Sequence, residues 1–335
     1  MALKSVQKEL LKLLADGQFH SGRKLSGQLG LSRTAIWNHT NELKRLGLGL
    51  HSVTGRGYRL NPPLELLESD LIHSHLELAV AKQLSSLEIY DSIDSTNGQL
   101  SKAVHLGASS GAVCLAESQT NGRGRLGRTW VSPFGRNIYL SSLWQYEAGP
   151  AILSGLSLAV GVAAIRALNQ EGFSDVGLKW PNDIFSNGKK LGGILIEIMG
   201  DALGPCTVIV GVGLNVDLPG QSAEEIDQPW TDLTKMMGSG VVSRNRIAAR
   251  LLNELFPILE NFDQTGLTEY HEEWSQMDCM AEKRATLRIG KELLIGTALG
   301  IDKSGLLMFE DELGQRKSYA SGEVSLRVVD DNQDA

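Results

Sequence analysis

The chain has 335 residues, 42% of them hydrophobic, which suits two or three packed domains and excludes a globally disordered protein. Its 32 Lys/Arg against 39 Asp/Glu give a net charge of −7, but residues 1–60 alone hold ten basic and three acidic side chains. A basic head on an acidic body is expected, and only the head suits a polyanion. Cys114, Cys206 and Cys279 lie far apart with no C-x-x-C or Cys/His cluster, so neither a disulfide framework nor a protein-only metal site is expected. Met1-Ala2-Leu3-Lys4 leads into mixed residues, and the apolar stretch Ile152 to Ile165 is short and broken by Ser and Gly. A cytoplasmic protein without a membrane span is expected.

The first predicted element is a helix over Val6 to Leu14, stopped by Asp16-Gly17. Ser21-Gly22 opens a second helix that closes at Gly30, and Ser32 is placed to N-cap a third, Arg33 to Leu46. In the third, Ile36, Thr40 and Leu43 repeat at i, i+4, i+7 and face inward. Arg33, Thr34, Trp37, Asn38 and Asn41 then turn largely outward, with side chains suited to phosphates and base edges in a major groove. Leu48 to Leu60 reads as a β-hairpin tipped by Thr54-Gly55-Arg56-Gly57. Three helices and a basic hairpin make a winged helix-turn-helix with Arg56 on the wing. A module of this kind used only for protein contacts is the alternative; the positive balance weighs against it. A single module makes few contacts, so stable operator binding calls for a dimer reading two half-sites. Asn61-Pro62-Pro63 ends the module, and residues 64–80 connect it to the next.

From about residue 85 the pattern is mixed α and β. Strands are expected at Leu87–Tyr90, Ala112–Ala116, Asn137–Leu143, Val176–Trp180 and Thr207–Val216. Ser154 to Leu168 reads as a buried helix. The run Lys189 to Glu197 pairs with Ile184-Phe185 across the turn Ser186-Asn187-Gly188. Gly211 and Gly213, inside a strand, mark close approach to the backbone. Hairpins with few helices, and no sustained β-α-β alternation, favour an α+β fold over a doubly wound one. Residues 281–328 alternate as short strands, Ala285–Ile289, Leu293–Thr297, Leu306–Phe309 and Val324–Val328, with turns at Gly290 and Gly305.

Gly122-Arg123-Gly124-Arg125-Leu126-Gly127-Arg128-Thr129-Trp130 is the most distinctive segment. Its glycines satisfy the G-x-G-x-x-G spacing, but a dinucleotide turn needs a strand directly before and a helix directly after. Ser118–Asn121 and Val131–Gly135 flank it instead, so it reads as a mobile loop enclosing an anionic ligand. No triad or metal motif accompanies it. His105 and His271 sit in helical contexts without a nucleophile. The remaining charges are Arg123, Arg125, Arg128, Lys179 and Lys190, with Asp183 the nearby acid. They suit phosphates and carboxylates and offer no covalent nucleophile.

Ser95-Thr96-Asn97, Glu117-x-Gln119, the Arg/Gly loop, Lys179-Trp180-Pro181-Asn182-Asp183, Lys190-Leu191-x-Gly193-Ile194-Leu195 and Gly211-x-Gly213-x-Asn215 occur in that order. In this order they resemble the bifunctional biotin–protein ligases that double as biotin-operon repressors, and the likeness spans nearly the whole chain. It implies a winged helix-turn-helix (1–63), a central mixed-sheet domain of the biotin/lipoate ligase type (64–275) and a small SH3-like barrel (276–335). It implies that biotin's carboxylate attacks the α-phosphate of MgATP to give biotinyl-5′-AMP. A lysine of an acceptor, the biotin carboxyl carrier protein of acetyl-CoA carboxylase, then takes the biotin. Both nucleophiles belong to substrates, so the protein's task is positioning and charge neutralisation. The adenylate would also act as corepressor, promoting a homodimer on operator DNA.

Carried over by motif, Ser95, Thr96 and Asn97 with Gln119 would bind the biotin head group, and Gly124 and Gly193 would line its site. Arg123 and Arg125 would hold carboxylate and phosphate. Lys190 would stabilise the forming anhydride, Lys179 would bind phosphate, and Asp183 would orient the incoming lysine. Asn182, Asn215 and Trp230 would bind the nucleotide, Trp230 covering the adenine. Ser95 as a plain helix cap, Trp180 as packing, Trp230 as a surface aromatic and Arg128 as a loop brace are the bland alternatives. Trp37 and Thr40 depart from the polar and aliphatic residues expected at their positions, so no operator sequence transfers. Leu126 stands where the family often has a basic residue. A lipoate or octanoate ligase of related fold and a non-enzymatic transcription factor sensing a small acid are the competing readings.

Overall fold

The computed structural model describes residues 3–220, 224, 226–238, 241–322 and 324–328; residues 1, 2 and 329–335, at the ends of the two outer expected domains, lie outside the described residues. The N-terminal unit contains α1 (Ser5–Leu14), α2 (Gly22–Leu29) and α3 (Arg33–Lys44), then β1 (Leu50–Val53) and β2 (Gly57–Leu60). Ser21 and Ser32 cap their helices by accepting from the N–H groups of Lys24 and Ala35, donors that a helix start leaves unpaired. Leu10, Leu11, Leu14, Leu25, Ile36 and Leu43 are fully buried between the helices. His20 adds a bridge to the hairpin through Tyr58, and a Cβ at Gly57 (φ 101°) would stand 2.1 Å from the His20 carbonyl oxygen. Only glycine fits there.

Residues 64–80 are more than a connector. They begin α4 (Ser69–Ser74) and α5 (Leu78–Gln83), whose Ile72 and Val80 are buried in the central core. β3 (Ser86–Tyr90), α6 (Thr96–His105), β4 (Ala112–Ala116), β5 (Ile138–Tyr146), α7 (Leu156–Gln170), β6 (Gly177–Lys179), β7 (Asp183–Ser186), β8 (Lys189–Gly200) and β9 (Cys206–Leu214) follow. Their seven strands run in the order β3-β4-β5-β9-β8-β7-β6, parallel only between β3 and β4. The β7–β8 turn is two residues rather than the expected three. Ser186 pairs with Lys189, and Asn187 (φ 49°) and Gly188 (φ 73°) supply the two positive dihedrals of a tight hairpin turn.

α7 is apolar nearly all round and accordingly buried. It packs on α9 (Arg244–Thr265), which follows α8 (Leu233–Met237) and precedes α10 (His271–Met277). The 22-residue α9 is missing from the predicted elements, although the cap at Ser243 and the run Ile247, Leu251, Leu255, Leu259, Phe262 carry helical periodicity.

β10 (Arg284–Ile289), β11 (Glu292–Ile301), β12 (Leu307–Asp311), β13 (Arg316–Tyr319) and β14 (Val324–Val328) form an antiparallel sheet in the order β13-β12-β11-β10-β14. β13 also goes unpredicted; its residues Arg316, Lys317 and Ser318 are exposed and lack apolar alternation. Ala285, Leu287, Ala298 and Phe309 share one continuous core with the central sheet. Phe134 crosses the other way: lying just past the Arg/Gly loop, it is buried in the winged-helix core beside Leu64.

Candidate active site

A cavity of about 410 Å³ opens on one face of the central sheet, and every residue expected to bind biotin or adenylate lines it. One end is a hydrogen-bonding cluster at the start of α6. Ser95 caps the helix, accepting from the Gly98 N–H at 3.4 Å, so the bland and the functional readings of this residue are compatible. Thr96 donates its backbone N–H to Gln119 Oε1 at 2.9 Å, with its hydroxyl 3.2 Å from the same oxygen. Gln119 in turn donates to Ser132 Oγ at 3.1 Å. Fully buried Ser141 on β5 lies 2.7 Å from Thr96 Oγ1 and 2.6 Å from Asn97 Oδ1. Gly211 is a glycine because a Cβ there would meet Asn97 Oδ1 at 2.4 Å.

The other end gathers cations. Lys190 Nζ is 2.6 Å from Asp183 Oδ1, both side chains 14% exposed. Gly193 lies next to that pair; a Cβ there would touch both side chains at about 3.4–3.5 Å. Lys179 is buried with Nζ 4.6 Å from the Phe185 ring centroid. Arg125 donates to Asn182 Oδ1 at 3.1 Å and to the carbonyls of Ser321 and Gly322, in the loop between the last two strands. These partners are all neutral oxygens. Burial pulls its guanidinium below the ordinary value, with Asp183 acting against the shift, so an incoming anion would meet a poorly solvated positive charge. Asn182 is fixed by donating to the Ile194 carbonyl at 2.6 Å.

The Arg/Gly segment folds back on itself, with Arg123 bridged to Thr129 and a turn at Arg125–Gly127. Trp130, at its end, lies flat enough on β9 that a Cβ at Gly213 would come within 2.6 Å of the indole. The buried indole N–H has no hydrogen-bond partner within the protein, a donor available to a ligand oxygen. Arg123 is engaged in a two-point contact with Glu197, Nη1–Oε1 and Nη2–Oε2 each 3.0 Å. Asp183 is therefore not the sole nearby acid. Past Asn182, Pro229–Thr231 runs beside Lys190 by two backbone bonds of 2.9 and 3.0 Å. Asn215 donates to the Thr231 carbonyl at 3.1 Å, and Lys235 Nζ sits 3.4 Å from the Trp230 ring centroid.

Sequence reasoning missed Ser132, Ser141 and Glu197. Two of these carried a signal: a hydroxyl inside an apolar strand and an acid inside the run Ile194–Ile198. Among the described residues no group of three or more His, Cys, Asp or Glu is placed to hold a metal ion, and no helix is long and apolar enough to cross a membrane.

In the N-terminal unit Arg33, Thr34, Trp37 and Asn38 are exposed on α3 and Asn41 is half-buried beside them. Trp37 is 54% exposed. Arg56, at the wing, stacks 4.1 Å from the Phe19 ring centroid, and Arg59 lies 5.1 Å from the same ring. The wing therefore offers a second arginine that the motif reading did not name.

Residues 89–215 match the biotin/lipoate A/B protein ligase family and residues 6–59 match a helix-turn-helix domain. The chain is 39% identical over 322 residues to the bifunctional ligase/repressor BirA of Salmonella typhimurium, covering 96% of this chain and 97% of that protein. It is 30% identical over 321 residues to the BirA of Bacillus subtilis, covering 95% and 98% respectively. Among solved structures, a biotin protein ligase from Aquifex aeolicus in complex with biotin and ATP is 27% identical. It superposes with a TM-score of 0.62 over 73% of this chain and 100% of that one.

Proposed function

Because the chain belongs to the family of bifunctional biotin–protein ligases and repressors, we propose that its central cavity makes and shelters biotinyl-5′-AMP through the residues named above. The protein is an ATP-dependent biotin–protein ligase that also carries a DNA-binding repressor module. One observation carries the site assignment. A single cavity holds an amide-and-hydroxyl cluster at one end and Arg125, Lys179 and Lys190 at the other, the polarity of a ligand with an uncharged polar head and an anionic tail.

In the first step an oxygen of biotin's carboxylate attacks the α-phosphorus of MgATP and pyrophosphate leaves. Lys190 and Arg125 face that reacting centre and offset the charge that builds on it. In the second step the amine of an acceptor lysine attacks the acyl carbon, AMP leaves and a proton is lost. Asp183 orients that amine. Trp230 and Asn215 line the adenine side, while Ser95, Thr96, Asn97 and Gln119 take the head group. Trp130 and the Arg/Gly segment close over the adenylate.

Residues 1–63 act as the DNA-reading unit, 64–275 as the catalytic unit, and 276–335 as the small barrel that completes the nucleotide end. The acceptor is the biotin carboxyl carrier protein, the adenylate is the corepressor, and a ligand-promoted homodimer in the cytoplasm binds the operator. ATP–pyrophosphate exchange tests the reading: exchange dependent on biotin supports it. Exchange with lipoate instead of biotin would reassign the substrate, and no exchange with either would make the chain a non-catalytic sensor.

A further inference from the structure

Glu197 lies outside the motifs, and we propose that it is a positioning residue that sets the hydrogen-bond polarity of the head-group site, making it select ligands that bring N–H donors. The inference rests on the ligase reading and deepens it. Asn97 spends its amide hydrogens on Glu197 Oε2 at 2.9 Å and on the Leu195 carbonyl at 3.3 Å. Both partners only accept, so the amide has one orientation and Oδ1 faces Ser141. Ser141 must then donate its single proton to Asn97 Oδ1 across 2.6 Å. Its 2.7 Å contact with Thr96 leaves Thr96 as the donor, the shorter of the two contacts open to that proton, since Gln119 Oε1 lies 3.2 Å away. The Thr96 hydroxyl, committed inward, can only accept from anything in the cavity it lines.

The chain of polarity thus runs from a carboxylate on β8 to a hydroxyl at the head-group end. The ureido ring of biotin has two N–H groups, the donors that such a site needs. Arg123 fixes the far side of the same carboxylate through its two-point contact, so the base of the Arg/Gly segment and the head-group site share one anchor. An amide in place of Glu197 could donate as well as accept. Asn97 could then flip, giving up only its longer, 3.3 Å bond to the Leu195 carbonyl, Ser141 could turn toward Thr96, and Thr96 could donate into the cavity. A site whose polar groups are matched rejects an analogue lacking the partner, because a buried group is left unpaired.

The test uses the full-length protein, MgATP, biotin, and the two cyclic carbamate analogues in which one or the other ureido N–H is replaced by oxygen. Wild type is expected to discriminate against one carbamate by about a hundredfold or more in kcat/KM for pyrophosphate exchange. In Glu197→Gln the KM for biotin is expected to rise about tenfold with kcat within about twofold, and discrimination to fall at least about tenfold. Arg123→Met, which leaves the Glu197–Asn97 contact in place, should change affinity and keep the discrimination. A Glu197→Gln protein with wild-type discrimination overturns the proposal, as does a carbamate preference lost equally in Arg123→Met. Absence of biotin-dependent exchange in the wild type would instead remove the ligase reading on which the inference stands.

Discussion

Glu117 and Arg244, 127 residues apart in sequence, meet at 2.8 Å with each side chain only 4% exposed. Around the pair Glu117 also accepts from the Leu67 N–H at 2.6 Å, while Arg244 donates to the carbonyls of Glu65 and Asn137. The segment joining the N-terminal unit to the central sheet is therefore tied to the loop after β4 that carries Gln119. Removing one partner of a buried pair leaves an uncompensated charge, at a cost of about 3–5 kcal/mol. Glu117→Leu is expected to lose about that much in urea-induced unfolding, and a loss below about 1 kcal/mol would contradict the assignment.

Lys190→Ala is expected to lower biotin-dependent pyrophosphate exchange by about two to three orders of magnitude, the scale of losing one charge-stabilising group in a closed site. Its circular dichroism should match wild type, since the contacts of Lys190 with Asp183 and Trp130 line a cavity and are not part of the packed core. Near-normal exchange would remove Lys190 from the reaction.

Gly213→Ala places a Cβ where the Trp130 indole now lies, at 2.6 Å. The ring must move away from β9 and out of its place in the cavity wall. Preformed biotinyl-5′-AMP is expected to dissociate about tenfold faster, a loss of about 1.4 kcal/mol, as followed by release of radiolabelled adenylate. An unchanged dissociation rate would show that Trp130 is no part of the cover.

Burial pushes the Asp278 carboxyl up to about 6, against an opposing pull from backbone N–H donors and Lys283. Asp278 bridges to Leu178, where the central sheet meets the C-terminal one. A carboxyl raised on folding binds its proton more tightly in the native state, so its stabilising effect is present below about pH 4 and fades as pH rises through about 6. Wild type is therefore expected to lose on the order of 1–3 kcal/mol relative to Asp278→Asn between those values. Parallel unfolding curves for the two proteins across that window would contradict it.

Operator binding should weaken steeply with salt, with a log–log slope near −0.9 per phosphate neutralised. Arg56→Ala is expected to reduce that slope by about one and to weaken all duplexes alike. Trp37→Ala, on the exposed face of α3, should instead relax preference among sequences, through loss of an apolar contact in the major groove. Fluorescence anisotropy over a salt series distinguishes the two effects, and a salt-independent affinity would remove DNA binding altogether.

Much of the architecture was readable along the chain. The serine caps, the helical spacing of Ile36, Thr40 and Leu43, and the apolar strand Ala112–Ala116 are local signals that the folded protein keeps. The ordered motifs placed Thr96, Gln119, Arg125, Asp183 and Lys190 in one site, and all line one cavity. Weaker local signals failed. β13 is a polar edge strand, and the Asn187-Gly188 turn is one residue shorter than expected.

What the sequence by itself determined was which chemistry is present: hydroxyls and amides at one end of the site and cations at the other. Only the tertiary structure decided how those groups are wired. Glu197 reaches Arg123 across 74 residues and Asn97 across 100, and Phe134 leaves the catalytic unit to enter the winged-helix core. Such contacts depend on strand register and on the packing of distant segments, and a one-residue slip of β8 would turn Glu197 to the opposite face. Local residue patterns carry no record of that register, so the proton order through Asn97, Ser141 and Thr96 exists only once the sheet is built.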